Sequence, residues 1–152
     1  MRALLLLFAA ACATSGGSSS GTIAIKSGAN AAARPVTYTV GKGAISGSNL
    51  DARLDGDCVR GAIRDIPVQF CRDPANPNHW VGGSGDFTAM PTPDGKSVSV
   101  DGYLVLDAGR KVAMTQVIPL GEGPQWDELR RNPALLAIAA TASDLEALRI
   151  RR

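Results

Sequence analysis

The sequence predicts a mainly β domain: six to eight antiparallel strands in a small sandwich or open barrel, with C-terminal helices packed against it. Three observations carry that expectation. From Val36 to Ile118 apolar and polar residues alternate in short runs, the period of half-buried strands. Glycines, prolines and an Asp-Gly pair punctuate those runs as turns do. After Pro124 the pattern changes to Ala- and Leu-rich stretches with helical stops. Beyond an apolar leader at residues 1–11, about 140 residues remain, which is the size of one domain.

The elements follow in order. Thr22–Lys26, with Ile23 and Ile25 alternating, reads as an early strand. Val36-Thr-Tyr-Thr-Val40 carries β-formers throughout, and Gly41-Lys-Gly43 breaks or bulges it. Leu50, Ala52 and Leu54 alternate with Asp51, Arg53 and Asp55, so that strand has one charged face in water. Asp55-Gly56 is a hairpin signal, because glycine adopts positive φ without steric cost. The return from Asp57 to Ile66 is less regular, and Pro67 suggests an edge or a bend. Arg72–His79 reads as a polar loop with two prolines.

A three-strand meander follows. Asp86–Met90 and Ser97–Leu106 flank the turn Pro91–Gly95, and Lys111–Ile118 returns after Asp107–Gly109. Val98, Val100, Leu104 and Leu106 should share one buried face, opposite Ser97, Ser99, Asp101 and Tyr103. Gly121–Pro124 links the 22–120 β region to a helical segment at 121–152. Gln125–Arg131 reads as a short helix, restarted by Asn132 as N-cap and Pro133 at the first helical position. Ala134–Ala140 is apolar on most sides and should be buried against the sheet. Ser143-Asp-Leu-Glu146 has capping-box spacing and is expected to open a last helix. The basic tail Arg149-Ile-Arg-Arg152 complements a helix C-terminus; it is expected to fray in solvent, with contact to anionic lipid or cell-wall polymer as the alternative.

Composition limits the function. The formal net charge is +2, which gives no basic surface suited to nucleic acid. The aromatics after the leader are Tyr38, Phe70, Trp80, Phe87, Tyr103 and Trp126, too few for a stacking platform and better suited to filling a core.

The N-terminus carries an address. Arg2 supplies a positive start, and Ala3–Ala11 form an apolar run ending in small residues, too short to span a hydrocarbon core of about 30 Å. That run ends on Cys12. In this respect the chain resembles bacterial lipoprotein precursors, in which small residues precede a lipidated cysteine. The resemblance covers the N-terminus alone. It implies diacylglycerol on the Cys12 thiol, cleavage before it, and acylation of the new amine. Ala13 after the cysteine, rather than Asp, implies the periplasmic face of the outer membrane. The alternative is an ordinary secretory signal cut at Ala9-Ala10-Ala11 or Ala11-Cys12-Ala13, leaving a soluble periplasmic or secreted protein. Residues 12–21, rich in Gly and Ser, form a flexible tether.

Cysteine parity agrees with lipidation. Of three cysteines, lipid on Cys12 leaves Cys58 and Cys71 as a pair. A disulfide across that spacing would stabilise the fold by about 3 kcal/mol in the chain-entropy model. Two free buried thiols are the alternative. Zinc falls short of four ligands, since a lone histidine accompanies the pair.

Candidate chemistry centres on His79, near Ser84, Asp73 and Asp86. Ser84 lies in Gly-Gly-Ser-Gly-Asp, which lacks the spacing of a nucleophile elbow. Asp51, Asp55 and Asp57 cluster, but alternation sends Asp51 and Asp55 to a solvent face, where Arg60 and Arg64 are expected partners. Asp73, Asn76 and Asn78 offer loop oxygens to a calcium ion, with too few carboxylates to hold one. No cofactor or metal is expected. The reading that follows is a non-enzymatic, lipid-anchored envelope protein whose partner is an envelope protein or cell-wall polymer. A small hydrolase using His79 with Ser84 or an aspartate is the second reading. A barrel holding an apolar ligand is the third.

Overall fold

The computed structural model describes residues 20–28 and 32–150, and over them the chain runs as eleven antiparallel strands followed by two helices. The leader at 1–11, Cys12, the tether as far as residue 19 and Arg151–Arg152 lie outside the described residues. The strands are β1 (Gly21–Ile25), β2 (Val36–Gly41), β3 (Ala44–Gly47), β4 (Leu50–Asp55), β5 (Cys58–Ile63) and β6 (Ile66–Asp73). They continue as β7 (Asn76–Gly82), β8 (Gly85–Pro91), β9 (Ser97–Val105), β10 (Lys111–Ala113) and β11 (Gln116–Pro119). The helices are α1 (Pro124–Arg131) and α2 (Pro133–Ile150). Each strand pairs with the next up to β10, while β11 pairs with the other half of β9.

The mainly β class and the packed C-terminal helices match the sequence expectation, with eleven strands where six to eight are expected. Short turns without strong signatures account for part of the difference. Ser48-Asn49, Arg64-Asp65 and Pro74-Ala75 each reverse the chain in two residues. Arg64 does so with φ of 54°, a conformation more usual for glycine. The expected loop at Arg72–His79 is therefore mostly strand, with β6 and β7 running into a tight hairpin. The expected strand Lys111–Ile118 divides into β10 and β11, because Met114 turns into the core between them.

Pro67 sits within β6, opposite Ala62 of β5. The ladder between β6 and β7 begins only at Cys71, so Pro67 lies where β6 has a partner on one side alone. A residue without an N–H is tolerated there.

The buried side chains form one continuous inner face. Tyr38, Ile45, Val59, Phe70, Trp80, Phe87 and Leu104 are each at most 2% exposed. On β9, Val98, Val100 and Leu104 share that face, as their alternation requires, and Leu106 continues it just beyond the strand. Phe70 and Phe87 meet edge to face, with centroids 5.0 Å apart.

What covers this face is α2. Every residue from Ala134 to Ser143 is at most 2% exposed. A helix buried on all sides needs apolar partners all round. Ten strands laid flat would span roughly 45 Å at about 4.8 Å each, against about 10–12 Å for a helix. Yet α2 touches β1, β3, β4, β5, β8 and β9. The sheet therefore curls around the helix. Its two ends meet there: Ser27, just past β1, donates to Asp144 Oδ1 at 2.7 Å, and Gln116, which opens β11, donates to Asp144 Oδ2 at 3.2 Å. No backbone pairing joins β1 to β10 or β11 among the described residues, so the barrel is open at this seam.

The capping-box expectation at Ser143 is overturned. α2 runs unbroken through Ser143, whose buried hydroxyl lies 3.0 Å from the Ala139 carbonyl. The same hydroxyl is 3.0 Å from Tyr38 Oη, which is also 3.0 Å from Asn49 Oδ1. Asn49 in turn donates from Nδ2 to the Ala142 carbonyl at 3.1 Å. This buried network fixes the helix against β2 and the β3–β4 turn. Burial pushes the Tyr38 phenol above its ordinary pKa, the hydrogen bonds to Ser143 and Asn49 opposing that shift.

Two substitutions measure these contacts. Tyr38→Phe leaves Asn49 and Ser143 short of a partner and should cost about 1–3 kcal/mol in chemical denaturation. Leu136→Ala, at a site with no exposure, should cost about 2–5 kcal/mol.

Candidate functional site

Because side chains alternate along a strand, residues flanking Phe70, Trp80 and Phe87 point away from the core onto the convex face. There the structure brings together three residues named from the sequence. His79 lies in β7, between Asp73 at the end of β6 and Asp86 in β8. Nδ1 is 3.0 Å from Asp73 Oδ2, and Nε2 is 2.6 Å from Asp86 Oδ1. The histidine side chain is 26% exposed, and the two carboxylates are 31% and 47% exposed.

The electrostatics follow from that bridge. The hydrogen bond to Asp73, then that to Asp86, raises the His79 pKa above 6.5 by favouring the imidazolium. The bond from His79, helped by the Ala75 backbone N–H, lowers the Asp73 pKa below 3.8. When protonated, the ring donates from both nitrogens and holds no free lone pair with which to act as a base. It ties three neighbouring strands together across the outside of the sheet.

Ser84 is a partner of neither ring nitrogen. It occupies the β7–β8 turn, where its Oγ accepts from the Gln69 backbone N–H at 2.8 Å. Its carbonyl accepts from Val105 N–H at 2.7 Å. The hydroxyl thus satisfies β6 just where the β6–β7 ladder has not yet begun.

Two of the oxygens considered for calcium, on Asp73 and Asn76, are already engaged by backbone N–H groups. Asp73 Oδ1 accepts from Ala75 N–H at 2.9 Å, and Asn76 Oδ1 accepts from Asn78 N–H at 3.1 Å. Both are local turn contacts. Asp73 and Asp86 lie on opposite sides of the imidazole, and no group of three or more acidic, His or Cys residues suited to a metal occurs among the described residues.

Asp51 and Asp55 are exposed on the convex face, as alternation requires. Asp55 pairs with Arg60 at 3.7 Å. Arg64 is a correction: its partner is Glu146 of α2 at 2.9 Å rather than one of the β4 carboxylates. Only tertiary structure brings those residues together, since they are 82 positions apart.

Cys58 and Cys71 face each other directly across β5 and β6, with Cα atoms 4.0 Å apart, and are joined as a disulfide. It lies on the same convex side as His79. Next to it in the ladder, Val81 is opposite Asp86, and Asp86 opposite Tyr103. Lys111 sits over the Tyr103 ring at 4.4 Å.

Sequence reading missed Arg72 as more than a loop residue. Its guanidinium lies over the Trp80 ring, 4.8 Å from the centroid, and its Nε is buried without a hydrogen-bond partner. A basic residue two positions after a core phenylalanine was the available signal. No family model, curated protein or solved structure matches the chain.

The Asp73–His79–Asp86 bridge makes a directional pH prediction. Charged His79 contributes stability that is fully present below pH 6.5 and is lost as pH rises through its raised folded value. Ionised Asp73 contributes above pH 3.8, and that contribution is lost as pH falls through its lowered value. The bridge therefore contributes fully between pH 3.8 and 6.5 and fades toward the folded midpoint on either side. By NMR the His79 ring should titrate above 6.5, and Asp73→Asn should bring the midpoint down; an unchanged midpoint would contradict the bridge.

Proposed function

We propose that the chain is an exported, lipid-anchored cell-envelope protein with a non-enzymatic binding or structural role, held through Cys12 at the periplasmic face of the outer membrane. The observation that carries this reading is the Cys58–Cys71 disulfide. Such bonds form and persist in oxidising compartments. This one occupies two of the three cysteines, which leaves Cys12, at the end of the small-residue run, for lipid. Two or more acyl chains suffice for stable attachment. The Gly- and Ser-rich segment before β1 separates domain from anchor, so the domain reaches an envelope protein or cell-wall polymer.

The other two readings have less support. A hydrolase built on His79 and Ser84 needs a free imidazole lone pair beside the hydroxyl. His79 instead engages two carboxylates, and Ser84 engages the backbone of Gln69. An apolar ligand inside the barrel competes with α2 for the same space.

Intact-mass measurement of the protein purified from its native envelope tests the proposal. The expected mass lacks residues 1–11 and carries diacylglycerol and a further acyl chain, and Cys12→Ala should abolish membrane attachment. An unacylated mass, or alkylation of Cys58 and Cys71 without reduction, overturns it.

A further inference from the structure

A cleft opens where the last turns of α2 leave the curled sheet. Its floor is Ile63 at the end of β5, 2% exposed, and its lip is Leu148, 47% exposed. Ile66, Leu106, Val112 and Leu145 supply the walls. The volume is about 320 Å³, near the lower end of the roughly 300–1,000 Å³ usual for small-molecule sites. That is room for one chain of a lipid-like molecule and too little for two.

Three arginines complete the lining, each from a different segment. Arg64 comes from the β5–β6 turn, Arg110 from the link before β10, and Arg149 from the end of α2. Glu146 already pairs with Arg64 at 2.9 Å. Neither Arg110 nor Arg149 has an ion-pair partner among the described residues. Asp65 and Asp107 adjoin lining residues in sequence without lining the cleft. The accessible charge at the mouth is therefore cationic, above walls that are apolar. A planar guanidinium recognises a carboxylate or phosphate through paired hydrogen bonds.

We propose that this cleft binds a monomeric single-chain amphiphile with an anionic head group. The chain lies against Leu106, Val112 and Leu148, and the head is held between Arg110 and Arg149. The site supplies a ligand class for the binding role above. It does not depend on lipidation of Cys12, so a negative mass result and a negative titration are separate failures.

The test uses the full chain and a fluorescent fatty acid, dansyl-undecanoate, held below its micellar concentration. Its emission should rise on binding, and dodecanoate should displace it while dodecyltrimethylammonium does not. The double substitution Arg110→Glu with Arg149→Glu should weaken binding by about tenfold or more. Leu148→Asp, at an exposed lip, should weaken it independently. Far-ultraviolet circular dichroism checks that each variant is folded. Absence of binding to the folded wild type, equal displacement by the cationic amphiphile, or affinity unchanged in the folded variants overturns the proposal. So does binding to anionic vesicles with none to monomeric dodecanoate, which places the affinity in a surface patch rather than the cleft.

Discussion

The burial of α2 is the constraint on which the remaining architecture depends. A helix whose residues from Ala134 to Ser143 are at most 2% exposed cannot lie on one face of a flat sheet. It must be enclosed, and a meander of short antiparallel strands encloses it by curling. Alanine at 134, 137, 139, 140 and 142 lets the strands approach closely, while Leu135, Leu136 and Ile138 fill the wider gaps. Each of those three larger side chains contributes roughly 1.5–3 kcal/mol by leaving water. Because the helix is apolar all round, burial alone does not choose its rotation. Tyr38, Asn49 and Ser143 supply that choice, since a buried hydroxyl or amide is costly unless its partners are in place.

An interior filled by α2 moves the chemistry outward. The convex face holds the Cys58–Cys71 disulfide, the His79 bridge and the Tyr103–Lys111 contact, all across neighbouring strands. The disulfide and the His79 bridge fasten β5 to β6 and β6 to β7 and β8. Ser84 belongs to the same set, because its hydroxyl satisfies Gln69 where the adjacent ladder is absent. The face is thereby braced against opening. The end of the barrel is different: Arg110 and Arg149, which form no ion pair among the described residues, line an apolar recess.

Much of the fold was legible wherever periodicity was strong. Val98, Val100 and Leu104 fall on the buried face because alternation leaves no other arrangement, and Ala134–Ala140 is buried because it has no polar side. Reading failed where the local signal was ambiguous. Ser143-Asp-Leu-Glu146 has the letters of a helix start, but a helix continues through a serine whose hydroxyl finds a carbonyl one turn back. The prolines of 72–79 suggested a loop, although Pro74 takes a turn position and Pro77 precedes the point where β7 joins β8. For the candidate site, residue types near His79 were visible, and the pairing of Asp73 and Asp86 with opposite ring nitrogens was not. That pairing follows from strand register, which short turns set.

By itself the sequence determined a mainly β domain ending in an apolar helix, with alternation assigning side chains to one face or the other. Those are consequences of local period and of the free energy of apolar burial, which each segment carries in its own composition. Only the tertiary structure decided that the sheet encloses the helix, that Arg64 meets Glu146, and that Arg110 and Arg149 flank a common recess. Such contacts join residues far apart in the chain, and their geometry depends on how much the whole sheet curls.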